Sequence, residues 1–428
     1  MKPSSSPSDR PQPPGARADT PPFAWASRSG SADSGGSGLF DGISRRGPVP
    51  DLVGDRAYLR AMRDTEAALA EAQAAVGLIP AGHAEAIAAV CAEISRFDTP
   101  ALGQAATAAG NPVVPLVEQL RAAVGGAAAD HVHLGVTSQD IIDTATMLVA
   151  REALTAVAAD VDAAADAAAR LADEHRATVM AGRTLLQQAL PTTFGAKAAA
   201  WLDGLDDAVA GLRAVRDGRL AVQLGGAAGT RAALHPHGPD IAHRLGDELG
   251  LAVPALPWHT NRSRIGELAG VLGVAAAALA RPARDVTLLA QTEIAEIQEG
   301  GPGRGGSSAM PHKHNPVAAV LTLANAAQAP GLVATLLTAA GGHEHERAAG
   351  AWHAEWHPLR ELFVAVGSAA AWLADCLEHL EIDAARMRAN IGADVEAYLE
   401  RDDFLASTGE IVRTALRRHT TCPEDLPQ

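Results

Sequence analysis

Five stretches of this chain, at about 138–175, 184–216, 259–298, 316–340 and 356–381, run on with few residues that stop a helix. Strand-like alternation is nearly absent between them, and alanine, the best helix former, dominates throughout. As helices these stretches span about 40–60 Å each, at about 1.5 Å per residue. Helices of that length cannot bury their apolar faces alone in a compact monomer. Packed side by side they make a bundle, and the outer faces are expected to meet other copies of the chain. The fold class expected is all-α.

Ahead of the bundle the pattern is also helical. Leu52, Leu59, Met62, Leu69 and Val76 recur at roughly helical spacing over 51–76, and Gly77-Leu78-Ile79-Pro80 ends the run. A second helix is expected over about 81–95, and a third after Gly110-Asn111-Pro112. Residues 1–38 are rich in Ser, Pro and Gly and lack an apolar signal core, so they read as a disordered tail rather than a signal peptide. The layout expected is the tail at 1–38, an N-terminal helical domain at 39–136, the bundle at 137–381 and a short helical segment at 382–428. The formal net charge of -15 argues against a nucleic-acid partner. No apolar run reaches the length of a membrane span, so no membrane partner is expected. Three scattered cysteines, Cys91, Cys376 and Cys422, suit a reducing cytoplasm.

The connections hold the unusual residues. The segment 300–316 begins Gly300-Gly301-Pro302-Gly303-Arg304-Gly305, which suits neither helix nor paired strand. It continues Gly306-Ser307-Ser308-Ala309-Met310-Pro311-His312-Lys313-His314-Asn315-Pro316. Pro316 fits the first turn of a following helix. A serine stabilised by a nearby lysine and by backbone N–H groups can remove a proton from carbon next to a carboxylate. Lys313 and Asn315 can then hold the charge that develops. Two other motifs fail here. Gly301-x-Gly303-x-x-Gly306 follows a helical segment rather than a strand, which excludes the dinucleotide fingerprint, and no lysine directly precedes Ser307 to make a P-loop.

Three further connections join this one. His131–Asp140 offers Thr137, Ser138 or Asp140 as a helix cap, and its free N–H groups suit a carboxylate. Gly182–Gln188 reads as a helix start, with Arg183 available to a surface acid. Gln223–Thr230 is a glycine-rich turn that lets backbone approach something closely. Hydroxyls, amides, Arg and Lys together suit a small polycarboxylate substrate. No metal set is expected: His343 and His345 do not face one side of a helix, and His353 and His357 lack the His-Glu-x-x-His order.

The segment 306–316 resembles the signature of the fumarase/aspartase superfamily, Gly-Ser-Ser-x-Met-Pro-x-Lys-x-Asn-Pro. The resemblance implies an all-helical three-domain fold with a central five-helix bundle. It also implies a homotetramer whose active sites draw on three subunits, and cofactor-free chemistry next to a carboxylate. Within the superfamily the chain resembles the 3-carboxy-cis,cis-muconate cycloisomerases from about Leu39 to Asn390. That likeness rests on His133-Leu-Gly-Val-Thr-Ser-Gln-Asp140, Gly182–Pro191, Gln223–Thr230, Pro257-Trp-His-Thr260 and Glu344–Trp352. Adenylosuccinate lyases usually carry Thr-Ser-Ser-Asp where this chain has Thr137-Ser138-Gln139-Asp140, and a catalytic histidine where it has Leu185.

The resemblance implies that Ser307 exchanges the proton alpha to a carboxylate. Ser308, Lys313 and Asn315 would bind that carboxylate. Thr137, Ser138 and Gln139 would bind a second one, with His133, Arg183, Thr184 and Gln187 in the same pocket. The reaction implied is reversible lactonisation in protocatechuate breakdown; elimination of fumarate or a related acid from a substituted succinate is the alternative. Three departures stand out. His314 replaces a common arginine, and Asn261 a common glutamine. After Asn390 only 38 residues remain, Ile391 to Gln428, where the family has a whole small domain. Their Tyr398-Leu399…Phe404-Leu405 pattern resembles only the last family helix, so an internal deletion and a shortened C-terminal domain are expected.

Overall fold

The structure is a computed structural model that describes residues 38–301, 304–306, 309–310, 312–399 and 402–421. The side chains of residues 94 and 402–405 are outside that description, as is the expected tail up to residue 37. Residues from Phe40 onward form one unit.

The chain enters through α1 (Asp55–Ala75), α2 (Ala81–Ala92), α3 (Thr99–Ala109) and α4 (Val113–Val124). The sequence reading missed α3. Its signals are local: the Asp98 carboxylate caps it by accepting the Ala101 N–H at 3.0 Å, and Gly110 ends it in the left-handed conformation.

The bundle follows, in alternating directions. Helix α5 (Ser138–Glu174) runs up, a hairpin of β1 (Val179–Thr184) and β2 (Gln187–Thr193) turns the chain, and α6 (Phe194–Gly218) runs down. After α7 (Gly238–Leu249), α8 (Ser263–Leu289) runs up. Strand β3 (Ile297–Glu299) and the 300–316 segment reverse the chain into α9 (Val317–Ala326) and α10 (Ala329–Gly341). Helix α11 (Ala351–Glu378) runs up again. Side-chain bonds fix the directions. Asp143 meets Trp352 near the starts of α5 and α11, and Arg170 meets Glu378 near their ends.

Two expected helix boundaries change. The stretch expected as helix from 184 begins only at Phe194, because 179–193 is an antiparallel hairpin. Leu185 and Leu186 both sit at positive φ at its apex, a geometry that turns a two-residue hairpin rather than a helix. The stretch 316–340 breaks after Ala326. Pro330 stands four residues beyond, where its ring clashes with the carbonyl of that residue. The expectation that no apolar run reaches span length needs correction: Ser263–Leu289 (α8) and Val317–Gly341 (α9 and α10 together) are long and apolar enough, by length and composition, to cross a bilayer. Both stretches belong to the bundle and are rich in small apolar residues, and less than half of each most apolar window is fully buried within one chain.

Past α11, β4 (Leu380–Ile382) pairs with β3, and α12 (Ala384–Ala389) leads towards α13 (Asp402–Thr420). Helix α13 lies on α6, α5 and β2. Arg418 pairs with Asp203 and Asp207, and His419 sits between Asp206 at 2.9 Å and Asp166 at 3.0 Å, with Asp162 and Arg213 close by. Burial lowers the His419 pKa, but hydrogen bonds to Asp206 and Asp166 outweigh it, so the net direction is up. A raised folded-state pKa stabilises docking below the ordinary value near 6.5 and loses that contribution as pH climbs through the folded value. Proteolytic nicking of α13 is therefore expected to speed up between pH 6 and pH 9 at fixed temperature, and less so in His419→Gln.

Candidate active site

At the lower end of the bundle, Thr137 is the N-cap of α5 and its backbone is extended. Asp140 is the organising group there. Its carboxylate accepts the Thr137 N–H at 3.0 Å and the Gly225 and Gly226 N–H groups at 2.8 Å each. It also pairs with His259 Nε2 at 2.7 Å. Four short bonds to one buried carboxylate lock the α5 start against the 223–230 turn. Only glycine fits at 225, because a Cβ there would lie 2.6 Å from His259 Cε1. Ser138 is half-buried in the first turn. Gln139 is fully buried and donates to the His259 carbonyl at 2.8 Å and to Asp143 at 3.1 Å. His133, at positive φ, bonds the buried Glu66 at 2.6 Å.

Arg347 completes this end. Its guanidinium reaches Gln139 Oε1 at 3.3 Å and the carbonyls of Gly226 and Ala227 at 3.3 and 3.0 Å. All three acceptors are neutral, so none of these bonds cancels its charge. Beneath lies a buried ionic cluster. Arg262 bonds Asp143 in two places, at 2.6 and 3.0 Å, and Glu355 at 2.6 Å. Trp352 Nε1 donates to Asp143 at 3.0 Å, and His343 meets Glu355 at 3.1 Å. Burial acts to lower the Arg262 pKa, but the Asp143 and Glu355 carboxylates raise it beyond its ordinary value.

The other candidates lie at the upper end. Arg183 forms a two-point ion pair with the fully buried Glu296, at 2.6 and 3.0 Å, so its nearest partner is inside the chain rather than an open pocket. Thr184 and Gln187 are exposed beside the hairpin apex, where Leu185 is 96% and Leu186 71% exposed. The 300–316 segment closes on itself. The Asn315 backbone N–H and side-chain Nδ2 both donate to the Gly305 carbonyl, at 2.8 and 2.9 Å. A Cβ at 305 would meet the Asn315 carbonyl at 2.6 Å, so this closure requires glycine. Lys313 is exposed, and its backbone N–H donates to the Met310 carbonyl at 3.0 Å. Ser307 and Ser308 lie outside the described residues.

The two groups are far apart in one chain. Helix α11, whose 28 residues separate the ionic cluster from the base of the 300–316 segment, is about 42 Å long. Thr137, Gln139 and Arg347 therefore cannot meet Lys313 within a single copy. Among the described residues no group of His, Cys, Asp and Glu has metal-binding geometry.

A lyase family profile matches residues 51–331. The chain belongs to the fumarase/aspartase superfamily. It is 50% identical over 343 residues to a 3-carboxy-cis,cis-muconate cycloisomerase of Bradyrhizobium diazoefficiens, covering 79% of this chain and 76% of that one. It is 48% identical over 370 residues to a nitrosuccinate lyase of Streptomyces davaonensis, covering 83% and 77%. The crystal structure of 3-carboxy-cis,cis-muconate lactonizing enzyme from Pseudomonas putida superposes with a TM-score of 0.79 at 39% identity, over 89% of this chain and 88% of that one. The superfamily's all-α bundle is thus the architecture of this chain.

Sequence reading did not assign a role to Arg347 or to the Arg262–Asp143–Glu355 cluster. Arg347 falls in Glu344–Trp352, which the resemblance had marked, but nothing local shows that it reaches across to Gln139. The cluster joins positions 119 and 93 residues apart, a pairing no periodicity reveals.

Proposed function

We propose that this chain is a cofactor-independent enzyme that interconverts 3-carboxy-cis,cis-muconate and 4-carboxymuconolactone in protocatechuate breakdown. The observation that carries this reading is its likeness, across most of its length, to proteins of that activity. The chemistry agrees with the residues. One substrate carboxylate adds to the substrate's own diene, and charge moves onto a neighbouring carboxylate. Ser307 delivers the proton to the alpha carbon, and removes it in the reverse direction. The nucleophile is intramolecular, so orientation supplies much of the rate. Lys313 and the free N–H of the Asn315 amide would steady the charged intermediate, while Gln139, Thr137, Ser138 and Arg347 would hold a second carboxylate. A carboxylate leaving group needs no proton donor, which suits the leucine at 185.

The working unit we propose is a homotetramer, with each active site shared between copies. The distance of about 42 Å along α11 supports sharing. So do the uncovered apolar residues Val274, Val320 and Leu337 on α8, α9 and α10. A cytoplasmic location is supported by Cys91 and Cys376, which are buried and unpaired.

A second reading, elimination from a substituted succinate, is favoured by the nitrosuccinate lyase likeness, nearly as high as the first. Leucine at 185 suits any leaving group that departs as a weak base. One assay separates the two: loss of diene absorbance from 3-carboxy-cis,cis-muconate against release of fumarate from nitrosuccinate. Turnover of the diene is expected. Fumarate release alone would overturn the first reading in favour of the second.

A further inference from the structure

Strand β3 is three residues long, yet a buried carboxylate stands at each side of it. Glu296, just before it, is fully buried. It takes both arms of Arg183 and the Asn390 Nδ2 at 2.9 Å. Arg183 faces Gln188 across the hairpin, and Gln188 donates to the Asn390 carbonyl at 2.7 Å. Arg183, Glu296, Asn390 and Gln188 thus close a ring that ties the hairpin to the start of β3. Glu299, the last residue of β3, accepts the Ala318 and Ala319 N–H groups at 2.8 Å each, and the Cys376 thiol at 3.3 Å. It sits before the 300–316 segment and bonds the helix that begins after it, so it closes the base of that segment.

We propose that Glu296 and Glu299 are positioning residues for the reaction. They set, from one short strand, the placement of the two catalytic segments at this end of the bundle. Neither carboxylate touches substrate. Arg183, in this assignment, places the hairpin through Glu296 instead of binding a substrate carboxylate. The proposal rests on the functional reading above only for its kinetic arm.

Three features make the assignment specific. Both carboxylates are buried and fully engaged, so neither is available as a base. Beside the Asn390 amide and the Cys376 thiol, their partners are two backbone N–H groups on Glu299 and a two-point guanidinium on Glu296, charge-assisted bonds that fix a direction. β3 is itself pinned by β4, by the Glu296 carbonyl accepting the Asp383 N–H at 3.0 Å, and by the Gly300 N–H donating to His379 at 2.8 Å. β3 is thus held from both of its ends. A displacement of about 1 Å at such a segment is enough to cost about 100-fold in rate.

The test uses the full-length protein with Glu299→Gln, Glu296→Gln, Arg183→Gln and the Glu296→Gln/Arg183→Gln double variant. Turnover and amide hydrogen exchange are both followed. Glu299→Gln is expected to lower kcat about 100-fold with KM changed less than about threefold, and to speed exchange in 300–317 but not in 138–174. Glu296→Gln and Arg183→Gln are expected to match each other in kcat and to loosen 182–188, with the double variant no worse than either. An Arg183→Gln variant that raises KM at unchanged kcat would overturn the assignment, because it would place the guanidinium on substrate. So would Glu299→Gln with unchanged kcat and unchanged exchange. Should Glu299→Gln fail to fold, Glu299→Asp takes its place, and failure of both would make the carboxylate a core stabiliser and end the proposal. A wild type with no turnover would sink the functional reading and leave the exchange results to decide the anchor.

Discussion

Lys313→Ala is expected to lower turnover about 1000-fold while leaving helical content and oligomer size as in the wild type. The loss follows from charge. As the substrate's alpha carbon gains electron density, a carboxylate beside it takes on a second negative charge, and an ammonium placed there is worth about 3–4 kcal/mol, as other preorganised donors are. The structural indifference follows from position. Lys313 is exposed in the 300–316 segment, whose closure runs through Gly305 and Asn315 and not through the lysine side chain. Initial rates, circular dichroism at 222 nm and size-exclusion chromatography check the three parts. Loss of the oligomer in this variant would show that the segment is structural first. Ser307→Ala should match the rate loss, since base and charge stabiliser act on the same step and removing either disables it.

The bundle was legible because its signal is local and repeated. An alanine-rich, breaker-poor stretch forms helix wherever it packs, so α5, α8 and α11 were visible from composition and spacing alone. The hairpin was not. Its strands are short, and its apex, Leu185-Leu186, has the apolar look of a helix face. What turns the chain there is a pair of positive φ values that no leucine advertises. The candidate site divided along the same line. Thr137, Gln139, Lys313 and Asn315 lie in segments with distinctive residues and were singled out for that reason. Asp140 was seen only as a possible cap, although its bonds to Gly225, Gly226 and His259 tie the start of α5 to two segments each 85 residues or more away. Long-range partners leave no trace in a linear pattern.

The largest effect on stability is expected from Arg262→Met. The arginine is almost fully buried between Asp143 and Glu355, and it is the guanidinium common to both. Removing either carboxylate would leave a pair of opposite charges behind. Removing the arginine leaves two carboxylates facing each other out of water, and breaking a buried pair in this way costs about 3–5 kcal/mol or more. Methionine fills the volume but supplies no donor, so repacking cannot recover the loss. One or both carboxyls would instead take up a proton. The variant should therefore be less unstable at pH 5 than at pH 8, because the unfolded carboxylates titrate near 4 and the stranded folded ones above that. The quantity compared is the variant's deficit from the wild type at each pH, since the His419 contribution is common to both. Denaturant midpoints at the two pH values measure this directly. A deficit equal at both would mean that water or a neighbouring cation relieves the carboxylates once Arg262 is gone. The consequence reaches the candidate site, because Asp143 also receives Gln139, and Arg347 rests on the oxygen of that same amide. At temperatures where the variant remains folded, its KM should rise while kcat, which depends on Lys313 at the opposite end of the bundle, is unchanged.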